Sequence, residues 1–307
     1  MSCCKPSQRL CVTIPAQQGI VLLAAILVVL VATAIIVALT HGEAFSIRKT
    51  ARIQTLERAN LYVLALEDWA RIILIEDGQN SSSDHLEEDW AANIPAIPIE
   101  GGLLSGVMED GQAKFNINNL LSSTESVDQF KRLCARLDID ANFINALLDW
   151  MDSDSDTRYP DGAEEFYGNY RVANRELSDI SELMLIKHMT VEIYEALRPH
   201  ITALPAPTSI NVNTMSDTVF LSLDENLSQT DAERFSDERV KDPFADIADF
   251  SARLKLPIPG NGLSVSSNYF YARGTVVQGE QPVSFSTLIH RDSKNKTTVL
   301  SRTLGGF

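Results

Sequence analysis

Cysteine is scarce where a fold could use it. Of four in the 307-residue chain, Cys3, Cys4 and Cys11 crowd the first stretch and Cys134 stands alone in the rest, which therefore has no intrachain disulfide to form. Basic residues are also short. The 26 Lys and Arg against 41 Asp and Glu leave a net charge of −15, which excludes nucleic acid and anionic lipid surfaces as natural partners. Histidine is sparse and scattered, at 41, 85, 188, 200 and 290. No HExxH pair, G-x-S-x-G elbow or glycine-rich phosphate loop after a strand occurs, so the usual hydrolase and nucleotide-binding readings have no anchor. Two absences are local. The first 19 residues carry Lys5 and Arg9 but no acid, and residues 20–40 carry no charge, Asn, Gln, Gly or Pro.

That uncharged run is 21 residues long. At about 1.5 Å per helical residue it covers roughly 30 Å, the thickness of a bilayer's hydrocarbon core. A cleavable secretory signal has a shorter apolar region, about 7–15 residues, and is cut after it. Here the polar leader ends in Gln17-Gln18-Gly19 directly against Ile20. Arg48, Lys49 and Arg52 follow the span closely, so orientation cannot be read from flanking positive charge. Beyond the span, Leu56, Ala59, Val63, Leu66, Ala70 and Ile73 recur at spacings of three and four, which predicts a helix continuing to about Asp77-Gly78 with one apolar stripe.

Farther on, Asp110-Gly111 between two short runs predicts a two-residue hairpin, with Leu103–Glu109 and Gln112–Asn118 as its strands. The sequence Phe115-Asn116-Ile117-Asn118 has a counterpart in Ile210-Asn211-Val212-Asn213, and both precede helical patterns, an Asn being a good helix cap. Taken as a repeat, they imply two helical modules joined at Pro205-Ala206-Pro207. Asp179 with Glu182 predicts a capping box opening a helix from Leu183 to Leu197. Runs from Val265 to Val277, Val283 to His290 and Thr297 to Thr303, separated by turn residues, predict a C-terminal three-stranded meander. It can pair with the earlier hairpin only if the helical modules are an insertion.

One stretch carries chemistry. Asp149, Asp152, Asp154, Asp156, Asp161, Glu164 and Glu165 are set against the single Arg158. Asp152-Ser-Asp154-Ser-Asp156 copies the first three ligand positions of an EF-hand, but Thr157 stands where the turn glycine belongs and Ala163 takes the twelfth place. The segment reads either as a calcium loop of another kind or as a solvated acidic loop. Two further readings follow from it, a membrane-anchored metal-dependent hydrolase and an anchored calcium-dependent adhesin. The hydrolase has no evident nucleophile or base beyond the carboxylates, and the adhesin does not explain the Gly19-Ile20 junction.

The Gly19-Ile20 junction resembles the leader of type IV pilins and type II secretion pseudopilins. The resemblance implies that a prepilin peptidase cuts after Gly19 and that Ile20, where many members have Phe, is N-methylated. Most members carry Glu at the fifth mature position, and Ala24 stands there, as in the minor pseudopilin K family. Leu148-Asp149-Trp150-Met151-Asp152-Ser-Asp154, then Gly162-Ala163-Glu164-Glu165 and Tyr167, Tyr170-Arg171, Asn174 and Leu177-Ser178-Asp179-Ile180-Ser181-Glu182-Leu183 also resemble that family's signature region.

The resemblance implies an α+β fold with a pilin-like long N-terminal helix packed on an antiparallel sheet, bearing large inserted helical, SAM-like modules. The implied divisions are a leader (1–19), a transmembrane helix (20–40) and its extracytoplasmic continuation (41–78). Then come the first strands (79–116), two helical modules (117–204 and 205–260) and a β-meander (261–307). It implies calcium held by Asp149, Asp152, Asp154, Glu164 and Glu165, with the ligand order open, and no catalytic role. The implied place is a single-pass protein of a bacterial inner membrane with a periplasmic domain. There it would initiate the tip of the secretion pseudopilus with minor pseudopilins I and J, and also H, served by the prepilin peptidase and an inner-membrane platform.

Overall fold

A run free of charges and helix breakers forms a helix. In the computed structural model α1 spans Gln18–Asn80, and the structure describes residues 18–164, 166–167, 172–256, 258, 260–278 and 281–305. The chain divides into two units, residues 1–58 and 59–307. In the first, the side chains of Ile20, Leu23, Leu27, Leu30 and Ile36 are all exposed, on a helix long and apolar enough to cross a membrane. The two hydroxyls of the apolar run are satisfied within the helix. Thr33 Oγ1 donates to the Val29 and Leu30 carbonyls, and Thr40 Oγ1 to those of Ile36 and Val37.

In the second unit the remainder of α1 lies on a five-stranded antiparallel sheet. Its strands are β1 (Ile94–Ile99), β2 (Gly102–Asp110), β7 (Tyr269–Gln278), β8 (Gln281–Arg291) and β9 (Thr297–Leu304), in the order β1-β2-β7-β8-β9. Ala59, Val63, Leu66, Ala70 and Leu74 of α1 form one core with Met108, Phe270, Ala272, Val276, Phe285 and Ile289. The small Ala59 and Ala70 let the helix approach the sheet closely. Glu67 is also buried there, where Arg302 of β9 holds it bidentately, Nε donating to Oε2 and Nη2 to Oε1, both at 2.9 Å. This ion pair fixes the sheet's edge strand to the helix.

β2 pairs with β7 residue for residue from Gly102↔Gln278 to Asp110↔Phe270, so everything between them is inserted into the sheet. The insertion opens with β3 (Phe115–Asn116), α2 (Thr124–Arg136), α3 (Ile144–Met151) and α4 (Val191–Leu197), and β4 (Ile201–Thr202) pairs parallel with β3. It continues with β5 (Ile210–Asn211), α5 (Asp217–Leu221), α6 (Gln229–Lys241), α7 (Ile247–Leu254) and β6 (Leu263–Ser264), which pairs parallel with β5. Each stretch is thus closed by a two-residue parallel pair. Their side chains merge in one core that includes Phe130, Phe143, Leu147, Phe220, Phe235 and Phe250.

The two Asn-x-Asn sequences do the same work in both places. Asn116 and Asn211 each accept the amide proton two residues on. Asn118 accepts from the Leu177 amide and donates to the Leu177 carbonyl, both at 2.9 Å. Asn213 does the same with Phe244, at 2.8 and 3.0 Å. A buried primary amide that satisfies both backbone groups of one residue locks a remote segment in place without leaving a polar group unpaired.

Three local expectations need correction. Asp110-Gly111 is not the hairpin turn. β2 ends there, Gly111–Ala113 is a 3-10 turn capped by the Asp110 carboxylate, and Phe115-Asn116 pairs with β4 instead. The hairpin joins β1 to β2 through Glu100-Gly101, where Gly101 takes φ 78°. Second, Asp179 and Glu182 do not open one long helix. Asp179 caps a 3-10 segment, Ile180–Leu185, Glu182 accepts from the Ser178 amide and from Arg175, and α4 starts separately under a Thr190 cap. Third, the first meander strand starts at Tyr269 rather than Val265, because Leu263-Ser264 is taken up by β5. From its pairing with Gly111 alone, Asp110 belongs to a local turn. In the fold it is buried and receives bonds from Thr214 Oγ1 (2.6 Å), Ser267 Oγ (2.7 Å) and Asn211 Nδ2 (3.0 Å), tying sheet to insertion.

Candidate functional site

Gly19, Ile20 and Ala24 all fall in the first turns of α1, with Ile20 exposed. Most of the leader, residues 1–17, lies outside the described residues.

The acidic stretch leaves the end of α3. The last turn of that helix turns Asp149 inward, and its side chain is completely buried. The Asp149 carboxylate accepts from the Ala163 amide at 2.8 Å, from the Arg158 amide at 3.2 Å and from Arg158 Nη1 at 3.0 Å. One carboxylate thus closes the loop on itself. Gly162 makes this possible, since a Cβ there would lie 2.4 Å from Asp149 Oδ2 and 2.2 Å from the Arg158 carbonyl oxygen. Arg158 Nη1 also bonds Asp152 Oδ2, so one guanidinium nitrogen links two carboxylates.

Two oxygens are left over. Asp152 Oδ1 and Glu164 Oε1 are buried and accept no hydrogen bond. Desolvation, and then the charges of Asp149, Asp152 and Asp154, push the Glu164 carboxyl up from its ordinary value. Asp154 is exposed and accepts from the Asp156 amide. Glu165 lies outside the described residues. The flank is stiffened by Trp150 against Tyr167, ring centroids 4.9 Å apart, and by Asn174, whose amide bonds the Trp150 carbonyl.

The donor set suits a hard cation: carboxylate oxygens only, more negative charge than the single arginine balances, and two buried oxygens without a proton donor. Convergence is incomplete, however. Among the described residues the one trio of carboxylates with oxygens within 4.8 Å of one another is Asp77, Asp84 and Glu88. That trio is built around Arg291, which bonds Asp77 Oδ2 at 2.8 Å, Asp84 Oδ1 and the Leu74 and Ser267 carbonyls. Glu88 accepts from Trp90 Nε1 at 2.7 Å. It is an arginine-centred junction between the end of α1 and the sheet, where burial pushes the Asp77 carboxyl up to about 7. The sequence does not announce it, because Asp77 reads as a helix end and Arg291 falls just past the strand ending at His290.

The chain matches the family described as "Type II secretion system (T2SS), protein K" over residues 113–206 and, with that family's other part, over residues 210–266. Type II secretion system protein K of Pseudomonas aeruginosa is 30% identical over 312 residues, covering 94% of this chain and 93% of its own. The protein of the same name from Aeromonas hydrophila is 25% identical, covering 94% and 98%. Among solved structures, a chain in the crystal structure of the GspK-GspI-GspJ complex from enterotoxigenic Escherichia coli superposes with a TM-score of 0.75 at 26% identity. The match covers 84% of this chain and 100% of that one.

Proposed function

This chain belongs to the type II secretion system protein K family, and we propose that it is the minor pseudopilin that starts the tip of the secretion pseudopilus together with minor pseudopilins I and J. The observation that carries the proposal is likeness along the whole length, at 30% identity over 94% of the chain, joined to the 0.75 TM-score against a chain solved in a complex with I and J. Residues 20–40 anchor it in the bacterial inner membrane with the rest in the periplasm. Minor pseudopilin H and the inner-membrane platform act with the same assembly.

The prepilin peptidase cuts after Gly19 and Ile20 is methylated. In pilin-like filaments a carboxylate at the fifth mature position neutralises the terminal amine of the subunit above, an interaction made in hydrocarbon where an unpaired charge is costly. Ala24 offers no such group, while the amine of Ile20 can still receive the carboxylate of the subunit below. The chain is therefore the first and uppermost one. Co-expression of the full chain with I and J tests this. A heteromeric complex recovered from detergent, with a mature mass starting at methylated Ile20, is the expected result. Homopolymers, or an N-terminus near Ala44, contradict it.

Calcium is the cation proposed for the acidic loop, held by Asp149, Asp152, Asp154, Glu164 and Glu165. When bound it would supply the positive charge that the cluster lacks and tie the loop to the end of α3. The orphan oxygens of Asp152 and Glu164 support this reading.

A further inference from the structure

Arg158 occupies the place from which a cation would have to gather the loop. Its Nη1 sits on Asp149 Oδ1 at 3.0 Å and on Asp152 Oδ2, its own amide also bonds Asp149, and its side chain is 36% exposed, with a route to solvent. We propose that Arg158 is the loop's built-in counter-ion and that calcium binds by displacing its guanidinium from Asp149 and Asp152. The inference rests on the calcium reading above and concerns how that site is regulated.

Calcium holds its oxygens at about 2.3–2.6 Å. An ion at that distance from Asp149 Oδ1 and Asp152 Oδ2 would overlap a nitrogen already bonded to both, so the two cations exclude each other from these oxygens. They differ in reach. The guanidinium is a planar monocation with directed N–H bonds, and it leaves Asp152 Oδ1 and Glu164 Oε1 without partners. A spherical dication with room for six to eight oxygens can take those two as well. While Arg158 is in place, no three carboxylates of the described loop come within 4.8 Å of one another. Its departure removes the wedge, and Asp149 stays anchored meanwhile by the Ala163 and Arg158 amides, which do not depend on the guanidinium. Arg158 thus keeps the loop ordered without metal and sets the calcium concentration at which the loop switches.

The test is calorimetric titration of calcium chloride into the full-length chain in detergent after chelation, comparing wild type, Arg158→Gln and Arg158→Lys. Competition predicts that Arg158→Gln binds calcium about tenfold more tightly, since a charge-assisted contact no longer has to be broken. In chelator the same variant should melt below wild type. A residue with a merely structural role would lower both quantities, so their opposite movement is the signature. Arg158→Lys keeps the charge, loses the fork and should fall between. Unchanged or weaker binding by Arg158→Gln overturns the displacement. Should that variant fail to fold, tighter binding by Arg158→Lys supports displacement, and equal or weaker binding overturns it. A wild-type chain that takes no calcium removes the calcium reading itself, an outcome distinct from wild-type binding without the gain.

Discussion

The two inserted stretches open and close alike, and they part company at one place. Each starts on a short strand carrying Asn-x-Asn, uses the second Asn to grip the backbone of a later residue, and ends on a strand parallel to the first. In the second stretch the gripped Phe244 follows α6 after only residues 242–243. In the first, residues 152–176 intervene between α3 and the gripped Leu177. The acidic loop is therefore an addition to a frame that closes without it. That separation teaches where stability and responsiveness reside: the Asn grips hold both frames, and the loop with its unsatisfied carboxylates can change state without unmaking either.

Cutting the Asn grips should have the largest effect. Asn118→Ala and Asn213→Ala each leave two or more buried backbone groups unpaired and should each cost about 3–5 kcal/mol. Chemical denaturation of the full chain in detergent checks this. A cost at Asn213 with none at Asn118 would mean the two stretches are not equivalent. Next in size, Gly162→Ala forces Asp149 away from the Ala163 amide, with an expected loss of about 1–3 kcal/mol. It should also abolish any calcium response while leaving the second stretch intact, as read by the two stretches' hydrogen exchange.

A smaller effect distinguishes the two by pH. Burial pushes the Asp110 carboxyl, which carries bonds from Asn211 and Thr214 of the second stretch, up to about 6. A carboxyl raised in the folded state above its unfolded value near 3.9 binds the extra proton on folding. Its stabilising contribution is complete below about pH 4 and is lost as pH rises through about 6. Going from pH 7 to pH 5 should therefore add about 1 kcal/mol at this junction, and Asp110→Asn should flatten that part of the profile. Calcium binding at the loop should weaken as pH falls, because calcium competes with a proton for the Glu164 carboxyl, which desolvation and then its acidic neighbours push up from its ordinary value. Thermal melts at both pH values, with and without calcium, separate the opposite trends.

How much of this was legible depended on how local the cause was. The long apolar helix is written in the absence of charge from residues 20–40, and its packing stripe in Ala59, Val63, Leu66 and Ala70, all of which the structure buries against the sheet. The repeat could be read in Phe115-Asn116-Ile117-Asn118 and Ile210-Asn211-Val212-Asn213, but not the grips, because their partners lie 59 and 31 residues away. Asp110 failed for the same reason. Asp-Gly is a strong local hairpin signal, and contacts 104 and 157 residues distant overrode it. In the loop, composition announced a surplus of carboxylates around Arg158. Only the fold shows that this arginine joins Asp149 to Asp152 and leaves two oxygens bare.

Hydrogen exchange of the full-length chain in detergent, with and without calcium, shows whether one of two like frames carries a cation-responsive loop. With free calcium at about 100 times its dissociation constant, mass action supplies roughly 2.7 kcal/mol of stabilisation. The account predicts that this appears as slowed exchange at residues 149–167, the Arg158, Gly162 and Ala163 amides foremost, with the amides of residues 242–244 unchanged. No change at residues 149–167, or an equal change in both stretches, would contradict it.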